Sequence, residues 1–288
     1  MSEPIETPLT PSSTRPVWVG TSWKMNKTLA EAATFVDELL AVPIPSGIQV
    51  FVLPPYTALA SVRSRVPEDS PILLGAQNAH WAPEGSWTGE ISMRMAKDAG
   101  ATLIEIGHSE RREHFGETDR TVARKAAAAV AYGLIPLICV GEPLAVRDEG
   151  GAEDFVRVQL QIALSELAPA EISQVLIAYE PIWAIGEHGI PATIDQVAPV
   201  MALISDVVTV AAGGPVRAVL YGGSVSTQNA REVLSDPNTH GLFVGRAAWQ
   251  ASGFIELLKL CAPLSGAGAG QSTIYSRTLP WTTTAALL

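Results

Sequence analysis

The stretch Leu176-Ile-Ala-Tyr-Glu-Pro-Ile-Trp-Ala-Ile-Gly-Glu-His-Gly189 decides how the rest of the chain is read. An apolar run from Val175 to Tyr179 stops at a carboxylate, Glu180, which Pro181 follows at once, and an apolar segment then closes on glycine. Apolar runs of this length between turn signals read as strands buried on both faces, as in a parallel sheet. A carboxylate at the carboxyl end of such a strand, ahead of a Pro hinge and a Gly-bounded loop, is a candidate general base beneath a lid. Taken alone, the same residue reads equally well as the acidic start of a solvent loop.

Working outward, the strand-then-helix rhythm repeats along the chain. Residues 17–20, 49–53, 72–76, 102–106, 134–140, 175–179, 216–221 and 242–244 read as strands. Thr28-Leu-Ala-Glu31 and Thr193-Ile-Asp-Gln196 are capping-box signatures. The first opens a helix carrying Phe35, Val36, Leu39 and Leu40, and the second a helix running to about Ala211. Further helices are expected over 57–62, 91–98, 118–132, 153–167, 228–234 and 253–260, with Phe155, Leu160, Leu164 and Leu167 facing inward on the fourth of these. Alternating strands and helices imply α/β architecture with a parallel sheet, and eight units over roughly 245 residues have the size of a single (β/α)8 barrel. An open doubly wound sheet is the rival, but no Gly-x-Gly-x-x-Gly follows the first strand. Residues 1–15 read as a loosely attached polar leader, 16–262 as the catalytic barrel, and 263–288 as a Gly/Ala/Thr-rich extension.

Composition narrows the function. A chain of 288 residues that is 47% hydrophobic and 17% charged can bury a large core. Its net charge of -10 argues against nucleic acid and anionic membranes as partners. A phosphorylated metabolite remains compatible if a local site supplies the donors. The two cysteines, Cys139 and Cys261, offer neither a disulfide framework nor metal-ligand spacing, which suits a reducing compartment. No apolar run approaches the ~20 residues that span a bilayer, and the leader lacks an apolar signal core, so a cytoplasmic protein is expected.

In a parallel barrel the loops at the carboxyl ends of the strands converge on one mouth. Strand one delivers Ser22-Trp-Lys24-Met-Asn26 there, strand four His108-Ser-Glu110, and strand six Glu180. Strands seven and eight end in glycine turns carrying Ser224, Gly245 and Arg246. A cation, an imidazole and a carboxylate in one mouth form a general acid/base set. Glycine turns after the last two strands offer backbone N–H groups to a phosphate.

Ser-Trp-Lys-Met-Asn, Gly-His-Ser-Glu-Arg-Arg, Ala-Tyr-Glu-Pro-Ile-Trp-Ala-Ile-Gly and Tyr-Gly-Gly-Ser-Val, in that order, resemble the motif set of the triosephosphate isomerase family, a TIM-barrel family. The resemblance implies that Glu180 removes a proton beside a carbonyl and that His108 polarises that carbonyl, the family's known division of labour. It further implies that Lys24 steadies the enediolate and that Gly186, Ser224 and Gly245 hold the phosphate, with Ser22 and Arg246 added to the substrate-binding set. Asn26, Glu110 and Cys139 are expected to support this machinery, Cys139 as a packed thiol. No cofactor and no metal are implied. His188, a lone histidine in the lid, is expected to be solvated.

Three positions depart from the family pattern. Ser22 stands where the family usually has Asn, the lid Gly186-Glu-His-Gly-Ile-Pro-Ala192 is one residue longer, and Arg246 replaces the second glycine after strand eight. A smaller side chain and a longer lid suggest room for a larger phosphorylated ketose. The variant motifs resemble the L-erythrulose-1-phosphate isomerase branch of the family, which interconverts L-erythrulose 1-phosphate and D-erythrulose 4-phosphate in tetritol catabolism. Triosephosphate isomerase activity is the alternative, and a non-catalytic sugar-phosphate-binding barrel a more distant one. Arg246 has two readings: a charge-assisted bond to phosphate or to Glu187, or a solvent-facing cation. The loop 77–90 is too long for a simple connection. It resembles the family's dimer loop, implying a homodimer in which Gln77, Asn78, Trp87 and Thr88 belong to the contact.

Overall fold

The computed structural model describes residues 15–186 and 189–262. The leader up to residue 14, the extension from 263 onward, and the lid residues Glu187 and His188 lie outside the described residues. The strands are β1 (Val17–Ser22), β2 (Ile48–Leu53), β3 (Ile72–Ala76), β4 (Leu103–Ile106), β5 (Ile135–Val140), β6 (Leu176–Tyr179), β7 (Ala218–Tyr221) and β8 (Gly241–Val244). Each pairs with its sequence neighbour, and β8 closes on β1, with Trp18 opposite Gly241 and Thr21 opposite Val244. The result is the expected (β/α)8 barrel.

Side chains alternate across a strand, so a closed sheet sends every second residue into the lumen. Trp18, Phe51, Leu53, Leu103, Leu137, Leu176, Leu220 and Phe243 pack together inside. The intervening residues, among them Val19, Val50, Ile104, Ile138, Ile177 and Val219, pack outward with the helices. Ser22, Glu105, Cys139, Glu180 and Gly222 share the parity of the inward set. The strand pattern therefore aims these five at one space before any of them meets the others.

Most helices stand within a few residues of expectation. Thr28 caps Leu29–Leu40 with Glu31 returning a bond to the Thr28 N–H, a complete capping box. Gln196 likewise accepts the Thr193 N–H at the start of Ile194–Ala212. The helix expected over 153–167 is shorter, Ala152–Ala163, followed by a separate turn, Pro169–Ile172. Its buried stripe is Val156, Gln159, Leu160 and Ala163, while Phe155 is only half-buried, one position off the inward face. Two short helices were not foreseen, Ser109–Phe115 and Leu144–Asp148. Each lies directly after a strand end, where motif residues masked the helical spacing.

A further correction concerns membranes. The helix Ile194–Ala212, at 19 residues, is long and apolar enough to cross a bilayer by length and composition. Here Val197, Val200, Met201, Ile204 and Val208 are buried against the barrel and the neighbouring helix Ala152–Ala163.

The lumen has little slack. A Cβ added at Gly20 would fall 2.1 Å from Cζ of Phe51. Gly20→Ala is therefore expected to destabilise the fold by about 1–3 kcal/mol through overpacking. Urea denaturation of the variant checks this, and a second change, Phe51→Leu, is expected to return part of the loss. Equal midpoints for Gly20→Ala and the parent would mean that the lumen is not tightly packed there.

Candidate active site

Glu180 follows the last residue of β6 and is held by a backbone bond from its N–H to Val140 O, 2.7 Å. Two glycines make room for it. A Cβ on Gly141 would strike Glu180 O at 1.9 Å, and one on Gly222 would stand 2.8 Å from Glu180 Cγ. The Glu180 side chain is buried, and its Oε2 has no hydrogen-bond partner. Burying an uncompensated carboxylate oxygen is costly, and such an atom facing a cavity is poised to take a proton. Cys139 packs beside it from the lumen, and burial first, then the neighbouring carboxylates, push its thiol well above the ordinary range. It stays a neutral packing group.

His108 lies 3.7 Å from that oxygen through Nε2. It caps the helix Ser109–Phe115, where its Nδ1 accepts the Glu110 N–H at 3.2 Å. A nitrogen that accepts a bond carries no proton, so this bond assigns a hydrogen to Nε2. The helix start thereby aims an N–H donor at the space beside Glu180.

Lys24 adopts a left-handed backbone, φ +52°, which is unfavourable for a residue with a Cβ. Its surroundings hold it there. Gln77, at the base of the long loop, donates to both Lys24 O (3.0 Å) and Leu53 O (2.9 Å), and Asn26 donates to Trp23 O. The Lys24 ammonium reaches Glu110 at 2.6 Å. Burial works to raise the Glu110 carboxyl, but the hydrogen bond and charge of Lys24 outweigh it and leave it below the usual range.

Lys24, His108 and Glu180 line one cavity of about 890 Å³ with Ser22, Glu110, Gly186, Ser224, Gly245 and Arg246. That volume suits a small phosphorylated sugar. Gly186 has φ +84°, a conformation that favours glycine at the start of the lid. The Ser224 hydroxyl donates to Ala184 O at 2.6 Å, so its proton is committed to the lid hinge. Arg246 is exposed at the rim of the cavity. The hinge is tied down on its other side by Glu142, buried beneath it, which accepts from Tyr179, Trp183 and Arg147. These anchors were not foreseen, because their separation in sequence hides their proximity.

The long loop is ordered by its own contacts. Asn78 accepts from the buried Lys125 at 2.7 Å, and His80 stacks on Trp81 and lies tilted against Trp87. Trp87 and Thr88 are exposed at its outer end.

One site residue escaped sequence reasoning. Glu105, in the middle of β4, is buried in the lumen and accepts the Ser22 hydroxyl at 2.9 Å. Burial, opposed in part by His108, pushes its carboxyl up to about 7. A carboxylate inside an otherwise apolar strand was the available signal. Glu105, His108 and Glu180 each place one nitrogen or oxygen within 4.8 Å of the others. With the Glu105 carboxyl raised to about 7 beside the unpartnered Glu180 oxygen, the set can hold and move protons near neutral pH.

Comparison with known proteins agrees with this geometry. The sequence profile described as triosephosphate isomerase matches residues 17–261. L-erythrulose-1-phosphate isomerase of Mesorhizobium japonicum is 54% identical over 247 residues, covering 84% of this chain and 95% of that protein. The enzymes of that name from Rhizobium meliloti and Mycolicibacterium smegmatis are 51% and 49% identical over 249 residues, covering 85% of this chain in both cases and 97% and 93% of the relatives. A profile match across the whole barrel, and relatives sharing half their residues over nearly their full length, place the chain in the triosephosphate isomerase family.

Proposed function

We propose that this chain is a sugar-phosphate isomerase that needs no cofactor and converts L-erythrulose 1-phosphate to D-erythrulose 4-phosphate. The observation that carries the reading is the buried, unpartnered Glu180 Oε2, 3.7 Å from the His108 Nε2 and in one cavity with Lys24. The names of the relatives at about half identity support the tetrulose over the triose. So does Ser22, a side chain small enough to leave space beside the lysine.

Glu180 takes the proton from C3 of the ketose while the N–H of His108 donates to the oxygen on C2, giving an enediol. The C3 hydroxyl then returns a proton to the His108 Nε2 that protonated the C2 oxygen, C3 becomes the carbonyl, and Glu180 returns its proton to C2. Electron density leaves the C3–H bond and enters a new C2–H bond, with no net gain or loss. Charge develops on both oxygens, where the fixed N–H of His108 and the Lys24 ammonium stabilise it. Gly186, Ser224 and Gly245 hold the phosphate through the lid and the two turns, and Arg246 at the rim adds a cation. Closure of the lid excludes water from the enediol. The homodimer belongs to the same reading. Its support is the exposure of Met25, next to the catalytic lysine, and of Trp87 on the long loop. A cytoplasmic location is compatible with two free, buried cysteines.

Purified protein is expected to show a higher kcat/KM on L-erythrulose 1-phosphate than on glyceraldehyde 3-phosphate. A preference for the triose would leave a triosephosphate isomerase, and no turnover of either would leave a binding barrel. Glu180→Ala should lower kcat by about 1,000-fold or more on the accepted sugar, and survival of activity would remove the base assignment. Gly222→Ala would bring a Cβ 2.8 Å from Glu180 Cγ and 3.2 Å from its Oε1, and is expected to lower kcat about 10- to 100-fold through misplacement of the base, with KM nearly unchanged. Steady-state kinetics that move only KM would contradict that route. Light scattering at micromolar concentration should give a dimer, and a fully active monomer would refute the loop contact.

A further inference from the structure

We propose that Ser22 and Glu105 form the recognition element for the terminal hydroxymethyl group that distinguishes a four-carbon ketose phosphate from a triose. In this assignment Ser22 is the contact and Glu105 the residue that positions it. The inference rests on the tetrulose reading above.

The ring order of the barrel sets the geometry. The glycine turns follow β7 and β8, and β4 lies across the barrel from β8. A ketose chain anchored by its phosphate at those turns runs past Glu180, after β6, and His108, after β4. Any carbon beyond the reacting pair must lie over the lumen floor on the β4 side. That floor is where Ser22, at the end of β1, reaches Glu105 on β4, a bond of 2.9 Å between residues 83 apart in sequence. A Glu105 oxygen stands within 4.8 Å of both His108 and Glu180, so the pair borders the reacting atoms.

The direction of the bond supplies the chemistry. Ser22 donates its only hydroxyl proton to Glu105 Oε2, which leaves the oxygen lone pairs of Ser22 toward the cavity it lines. An oxygen prepared in this way accepts a hydrogen bond from a hydroxyl and gains nothing from a bare C–H. A triose ends at the reacting carbon and presents no group there, whereas the terminal CH2OH of a tetrulose does. A buried carboxyl in register with Leu137, on a strand that also carries Leu103 inward, is otherwise costly, and the fold retains it against that cost. At about pH 8 the carboxyl is ionised and can only accept, so the Ser22 hydroxyl is held in this one orientation.

The test measures kcat/KM at about pH 8 on three substrates: L-erythrulose 1-phosphate, its 4-deoxy analogue and glyceraldehyde 3-phosphate. The parent protein should discriminate against the 4-deoxy analogue about 10- to 100-fold, the effect of leaving a directed polar group unpaired. Glu105→Gln and Ser22→Ala should each lower kcat/KM on the tetrulose about 10- to 30-fold, mainly through KM, with a much smaller change on the triose. Both should also narrow the gap between the tetrulose and its deoxy analogue. An equal fall on tetrulose and triose would assign the pair a structural role and overturn the inference. So would a parent protein that prefers the tetrulose but is indifferent to the terminal hydroxyl, a result that needs no variant to fold. Failure of the parent to turn over the tetrulose at all would instead sink the substrate reading, and this inference with it.

Discussion

The pairing of β8 with β1 is the constraint on which the rest of the molecule depends. It turns a run of parallel strands into a ring, and only in a ring do all the strand ends face one mouth. The closure is tight. Gly241 sits where a Cβ would lie 2.0 Å from Trp18 O, and the residue before it, His240, accepts the Val219 N–H through Nδ1 while its own carbonyl receives the Trp18 N–H. Burial holds the His240 ring below its ordinary pKa, which favours the neutral acceptor that this bond requires. An imidazole far from the chemistry thus helps join β7, β8 and β1.

From closure follows the division of the strands into two sets of side chains. The outward set is mainly apolar, with Thr21 a buried exception, and meets the helices, whereas the inward set changes character along the barrel axis. Low in the lumen it is aromatic and aliphatic. At the top it becomes Ser22, Glu105 and Glu180, with glycines where Glu180 needs space. Polar groups are placed there against the general cost of burying them. The unpartnered Glu180 oxygen, the left-handed Lys24 and the raised Glu105 carboxyl all lie within this one layer or beside it. The left-handed Lys24 and the unpartnered Glu180 oxygen both line the cavity, where a substrate would relieve them. The supports around that layer are ordinary by contrast: Gln77 under Lys24, Glu142 beneath the hinge, and the helix start under His108 are fully bonded.

Much of this was legible in the chain itself. The strand at 175–179 ending in Glu180, the capping boxes at Thr28 and Thr193, and the glycine turns after the last two strands are local patterns, and local geometry produces them. Periodicity and turn chemistry suffice for such features, because they act between near neighbours. Element edges slipped where a motif overlay the periodic signal, as in the short helices after β4 and β5. Phe155 was misassigned because the inward stripe of its helix is centred on Val156 and Leu160.

The sequence by itself determined the order of strands and helices, the barrel class and which lysine, histidine and glutamate to look for at the strand ends. Each is written in residues within a few positions of one another. What only the tertiary structure decided is which residues from distant strands meet: Ser22 with Glu105, Glu142 with Trp183, Gln77 with the backbone of Lys24. These contacts arise from closure of the ring, which brings together positions far apart along the chain. Glu105 is a carboxylate in an otherwise apolar strand, and closure of the barrel is what set it across the lumen from Ser22, beside His108 and Glu180.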